Sequence, residues 1–155
     1  MTAYLAVASF RVRTVMPGED VDALEVAYPG FLDAKLVEWS SWLNGRLGKR
    51  YGVPFTAPVP EIVLSWLTRL VTLDAYLRRG FDPSSKQDAE IVKAAETAKA
   101  EVKEAADSKD GLWDLPLRED APGQSGIARG GPLGYSEASP YTWTDRQSEA
   151  VRDGG

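Results

Sequence analysis

Between residues 29 and 80 the apolar positions recur three and four apart in two runs. Leu32, Leu36, Trp39, Leu43 and Leu47 form the first; Val63, Trp66, Leu67, Leu70, Leu73 and Leu77 form the second. Such spacings fall on one stripe of an α-helix, so each run predicts a helix that buries one face. Between the runs stands a hinge, Arg50-Tyr51-Gly52-Val53-Pro54-Phe55, and residues 52–60 hold three prolines and one glycine. Proline lacks the amide hydrogen and fixes φ, so neither helix runs through the link. Two apolar stripes on a short rigid link fold against each other. The core is predicted to be this helical hairpin.

The flanking stretches extend the pattern. Residues 1–7 are small and apolar without a period, which suits a short strand or a packed arm. Residues 9–14 suit either a one-turn helix capped by Ser9 or an extended piece, with the helix favoured. Met16-Pro17-Gly18 signals a turn, and Asp20 is placed to cap a short helix through Val21, Leu24 and Val26. Pro29 then suits the first turn of the long helix, where its missing donor costs nothing. After Gly80, Ser84 or Ser85 offers a start for a third helix over residues 87–110. This segment is rich in Ala, Glu and Lys, with Ile91, Ala95, Ala98, Val102 and Ala105 on one narrow stripe. Alanine buries little surface, so this helix is expected to be the outermost and the most easily frayed. Gly111 ends the pattern, and the apolar knot of residues 112–117 is expected to tuck back onto the bundle.

From Arg118 the character changes. Residues 118–155 hold seven glycines and three prolines, little aliphatic bulk and no helical period. Such a segment does not bury enough surface to fold alone. Yet Tyr135, Tyr141 and Trp143 are large amphipathic residues of the kind that anchor protein interfaces. The expected architecture is all-α: a small bundle over residues 1–117, made of the hairpin and a third Ala- and charge-rich helix. An extended C-terminal arm over residues 118–155 is expected to order on a partner.

Composition narrows the chemistry. A formal charge of -5 argues against binding nucleic acid through phosphate contacts. Arg46, Lys49 and Arg50 still form a local basic patch, either a surface for a partner or a helix end complementing its own dipole. The chain has no cysteine, hence no disulfide and no thiolate metal site, and no histidine, the commonest general base and metal ligand. No apolar run approaches the roughly 20 residues of a membrane span, and residues 1–10 lack the basic start of a secretory signal. These features lead us to expect a soluble, intracellularly made protein with no membrane partner.

Carboxylates are the remaining acid–base groups: Glu96, Glu101, Glu104 and Asp107, then Asp114, Glu119 and Asp120. No pair sits in an apolar setting that would raise a pKa enough for acid catalysis. The glycine-rich residues 123–134 lack the Gly-Lys-Ser/Thr ending of a phosphate loop, and no helix pattern follows them. A spacer is the simpler reading, with no cofactor and no metal expected. Of the tryptophans, Trp39 and Trp66 fall on core stripes and Trp113 sits in the apolar knot. Trp42 lies off the first stripe and either widens the buried face or touches a neighbouring subunit. Trp143 is the tryptophan with the strongest claim to function.

The order of these features resembles the small head-to-tail connector (adaptor) proteins of tailed phages, the helical group that includes head-completion proteins. The resemblance is carried by residues 43–55, Leu-Asn-Gly-Arg-Leu-Gly-Lys-Arg-Tyr-Gly-Val-Pro-Phe, and by residues 58–63, Pro-Val-Pro-Glu-Ile-Val. It continues through a run like Leu-Val-Leu-Asp-Tyr at residues 70–76, an Arg-Gly at the helix end, and the Gly-Leu-x-x-Leu-Pro of residues 111–116. It spans roughly residues 10–117, and its weight lies in the order of short motifs rather than in any one.

The resemblance implies a virion structural protein, not an enzyme. It implies a ring of copies under the portal protein with the portal's twelvefold symmetry, at the head–tail interface of a particle made in the host cytoplasm. Such a ring extends the channel for genomic DNA, which passes without specific binding, and offers a surface to the next tail or stopper component. In several relatives the C-terminal arm docks on the portal, sometimes by adding strands. The partner-binding residues read here are Tyr135, Pro140, Tyr141 and Trp143 in the arm, with Trp42, Arg46 and Arg50 on the first long helix. The arm does not map onto that of the better-known relatives. Two other readings stay open: a non-viral helical interaction module docking through its C-terminal tail, and a small enzyme using carboxylates or the glycine-rich tail.

Overall fold

The computed structural model describes residues 2–82, 84–108, 111–112 and 114–118. Five helices follow in order: α1 (Val7–Arg13), α2 (Gly18–Ala27), α3 (Phe31–Leu47), α4 (Glu61–Arg79) and α5 (Lys86–Asp107). The fold is an all-α bundle, and the one β feature among the described residues is an isolated antiparallel bridge between Tyr51 and Leu117. Helices α3 and α4 form the expected hairpin, with Leu32, Leu36, Leu43, Leu47, Val63 and Trp66 in its core.

Helix α4 buries more than the predicted stripe. Thr68, Val71, Thr72 and Ala75 are also buried, in a helix that contacts α2, α3 and α5 and whose Thr72 meets Thr14. Buried threonines cost little here. Thr68 Oγ1 donates to Leu64 O at 2.8 Å, and Thr72 Oγ1 lies 2.7 Å from Thr68 O and from Thr14 Oγ1. Leu77, expected on the buried stripe, is 52% exposed. With the buried sector turned towards Ala75 and Tyr76, Leu77 falls outside it.

Several start signals act differently from the sequence expectation. Helix α1 starts at Val7 with Ala6 as its N-cap, so Ser9 lies inside the helix. Pro17 precedes α2 as its N-cap, and Asp20 sits in the first turn, where it pairs with Arg79 of α4. Pro29 precedes α3 rather than opening it, because Gly30 takes a left-handed turn (φ 78) before Phe31. That conformation favours glycine. The N-terminus of α3 has no side-chain cap of its own; Glu25 reaches from α2 and accepts from the N–H groups of Gly30 (3.4 Å) and Leu32 (3.1 Å).

Helix α5 packs on both α3 and α4 and is the third side of the bundle, not an outlying helix. Ile91, Ala95, Ala98, Val102 and Ala105 are all buried, as their stripe predicts. Small side chains allow helices to approach closely, which lets an alanine stripe be buried without side-chain bulk. Polar ties add to it: Glu101 accepts from Trp66 Nε1 at 2.7 Å and pairs with Arg69 at 2.9 Å. Residues 2–6 form a packed arm rather than a strand. Leu5 is buried, the Tyr4 N–H donates to Ser40 Oγ at 3.1 Å, and the Tyr4 hydroxyl accepts from the Phe55 N–H at 3.0 Å and bonds Asn44. Burial raises the Tyr4 phenol pKa above its ordinary value.

A larger residue on the alanine stripe has no space. Ala98→Leu is expected to lower unfolding free energy by about 1–3 kcal/mol, whereas Ala100→Leu, on the exposed face, is expected to be near neutral. Urea denaturation of the two variants checks this.

Candidate partner interface

Two surfaces of the body carry the features singled out from sequence. The first is the joint between the α3–α4 link and residues 111–118. Tyr51 is fully buried, its hydroxyl donating to Ala105 O at 2.9 Å and accepting from the Leu112 N–H at 2.7 Å. The Gly52 N–H donates to Pro116 O at 2.8 Å, and the Arg118 N–H to Arg50 O at 3.0 Å. Arg118 Nη1 donates to Gly48 O at 2.9 Å, satisfying a carbonyl at the end of α3. Leu115 is 2% exposed. The apolar knot therefore does tuck back, and the body continues at least to Arg118. Gly111, at φ +63, faces the Arg50 guanidinium so closely that an added Cβ would collide with it.

The second surface runs along α3 and α5. Trp39 and Trp42 meet edge to face with ring centroids 5.4 Å apart. Arg46 lies over the Trp42 ring at 5.7 Å and Lys99 over the Trp39 ring at 5.3 Å, while Trp39 Nε1 donates to Asp74 at 2.8 Å. Lys49 pairs with Asp107 at 2.7 Å. This contact, followed in effect by the charges of Lys103 and Arg46, holds the Asp107 carboxyl below the ordinary range. The face is thus two half-buried indoles under cations. A cation over an indole face contributes about 0.5–1 kcal/mol at exposed sites.

The structure separates the sequence-predicted residues. Trp42 and Arg46 lie together on the second surface. Arg50 belongs to the first: its guanidinium donates to Ser108 O and packs against Gly111. It holds the root of the C-terminal segment. Tyr135, Pro140, Tyr141 and Trp143 lie outside the described residues, as do Trp113 and the glycine-rich stretch. Lys99, Asp74 and the linking role of Tyr51 were not found from sequence. They depend on the register between helices, which no local pattern encodes; the Arg-Tyr of the hinge was the one available signal.

Among the described residues no three acidic groups converge as a metal site, and Glu101 is already held by Trp66 and Arg69. A groove of about 280 Å³ beside Val15, floored by Ile91 and Ala94, is flanked by the Arg13–Glu61 pair. No helix of the described residues is long and apolar enough to cross a membrane. No protein-family model, no curated protein and no solved structure matches the chain.

Tyr51→Phe leaves the Ala105 carbonyl and the Leu112 N–H without their common partner, so unfolding free energy is expected to fall by about 1–3 kcal/mol, with amide exchange at Leu112 accelerated. Asp22, Glu61 and Asp107 have pKa values lowered, first by hydrogen bonds from Arg11, Arg13 and Lys49. Their contribution is present above the unfolded-chain values near about pH 4 and is lost as pH falls through the lower folded values. Acid titration of stability should therefore be flatter for the combined Asp22→Asn, Glu61→Gln, Asp107→Asn variant than for the wild type.

Proposed function

We propose that the protein is a head-to-tail adaptor of a tailed-phage particle, a structural ring component that joins the portal to the next tail component. The observation that carries this reading is the pairing of its two most telling motifs. The Arg-Tyr-Gly-Val-Pro hinge and the Gly-Leu-x-x-Leu-Pro exit, far apart in sequence, are hydrogen-bonded through Tyr51, Gly52 and Arg50. In this chain the two motifs thus meet in one physical joint that ends at Arg118. In this reading the arm, through Tyr135, Pro140, Tyr141 and Trp143, docks on the portal, and the genomic DNA passes an acidic protein without being held.

The test uses the portal protein of the same particle, immobilised. The full chain is expected to be retained, and a chain stopped after Arg118 is expected to be lost or weakened at least tenfold. Equal retention of both would move the contact to the body. Retention of neither would remove the adaptor reading and favour a helical interaction module of another kind.

A further inference from the structure

The chain holds one asparagine, and a glycine follows it: Asn44-Gly45, near the end of α3. Glycine weakens a helix interior relative to alanine. Neither usual reason for it applies at this position. Gly45 has no left-handed φ, and a Cβ added to it would meet nothing within 4 Å. The pair has a chemistry of its own. A backbone nitrogen unshielded by a neighbouring Cβ can attack the side-chain amide of the asparagine before it.

The folded protein holds these two groups apart. In the register of α3 the Gly45 N–H faces the carbonyl four residues back, and its nitrogen is out of line with Asn44 Cγ. Asn44 O accepts from the Gly48 N–H at 2.8 Å, and the Tyr4 hydroxyl donates to Asn44 Oδ1. That hydroxyl also accepts from the Phe55 N–H at 3.0 Å, so the arm of residues 2–6 fastens Asn44 to the α3–α4 link. Arg118 Nη1 on Gly48 O closes the same turn from the other side.

We propose that Asn44-Gly45 is a latent self-modification site and that Tyr4 is the positioning residue that keeps it closed. When the last turns of α3 open, hydroxide takes the Gly45 amide proton and the nitrogen bonds Asn44 Cγ. Ammonia leaves with a proton from water, which restores the hydroxide. One further water opens the five-membered imide at either carbonyl, to aspartate or to isoaspartate. The sum is asparagine plus water to carboxylate plus ammonia, with no oxidant or cofactor. Isoaspartate carries the backbone through an extra methylene and turns the former Asn44 carbonyl into a free carboxylate. The bond from Gly48 is then lost, and α3 does not regain its last turn. An opening is thus recorded in the covalent chain, whether or not the protein is an adaptor.

The test incubates the full chain in mildly alkaline buffer and follows residue 44 by peptide mass spectrometry. Conversion is scored as the mass gain of NH2 replaced by OH, and the isoaspartate share by fragmentation. A synthetic peptide of residues 41–50 gives the rate without the fold. The folded chain is expected to convert about ten- to a thousandfold more slowly than the peptide, as a local opening cheaper than global unfolding allows. Tyr4→Phe keeps the ring against Phe55 and is expected to raise the folded rate about two- to tenfold, the weight of one hydrogen bond. Gly45→Ala, whose Cβ enters open space, should cut conversion to background. Ala98→Leu destabilises the bundle at α5 and separates local from global opening; it should leave the rate unchanged. Circular dichroism confirms that each variant keeps its helices. A folded chain slower than the peptide by more than about a thousandfold overturns the proposal. So does a Tyr4→Phe rate equal to wild type, conversion of Gly45→Ala at the wild-type rate, or an Ala98→Leu rate raised as far as that of Tyr4→Phe.

Discussion

The fold depends on the closure made by Tyr51. Its phenol is inside the bundle, yet a phenol hydroxyl has to be hydrogen-bonded when it leaves water. The two groups that satisfy it belong to the end of α5 and to the segment beyond, Ala105 O and the Leu112 N–H. One buried hydroxyl thus joins the α3–α4 link to the end of the third helix. Around it, Gly52 and Arg50 continue the pairing with Pro116 and Arg118, and Leu115 fills the apolar space beneath. Loss of this joint would leave the last turn of α5, beyond Val102 and the Glu101 contacts, held by its buried alanines and the exposed Lys49–Asp107 ion pair. An exposed pair of that kind contributes little.

The same economy appears at the other end of the molecule. None of the five helices uses a side chain of its own N-cap residue to bond its first amides. Prolines set the starting angles of α2 and α4, and a glycine that of α3. The amides of α3 are served by a carboxylate from the preceding helix. Capping is therefore partly tertiary, and the elements are less independent than their sequence boundaries suggest.

The legible part of this chain was the part governed by one helix at a time. The stripe Leu32, Leu36, Leu43, Leu47 and the alanine stripe of α5 each bury as their spacing dictates, because a periodic face has only one way to avoid water. The misplaced positions were those whose environment is set by a second element. Leu77 read as core from spacing alone, but the buried sector of α4 lies towards Ala75 and Tyr76, away from it. Asp20 read as a cap, but Arg79, distant in sequence, was a better partner. The third helix read as peripheral because alanine buries little, an argument from side-chain area that ignores how closely small residues let backbones approach. At the candidate interface, Trp42 and Arg46 were visible as off-stripe residues on α3. Lys99 was not, since its place beside Trp39 follows from how α5 lies along α3.

The carboxylate of Glu25 ties the start of one helix to the docking of another. It accepts from the Gly30 and Leu32 amides while belonging to α2, whose buried face is Val21 and Leu24. When α2 lifts from the bundle, those amides lose their acceptor in the same event and are left to water. Protection of the first amides of α3 is therefore coupled to the docking of α2. Hydrogen exchange at Leu32 would record the opening of a helix to which it does not belong.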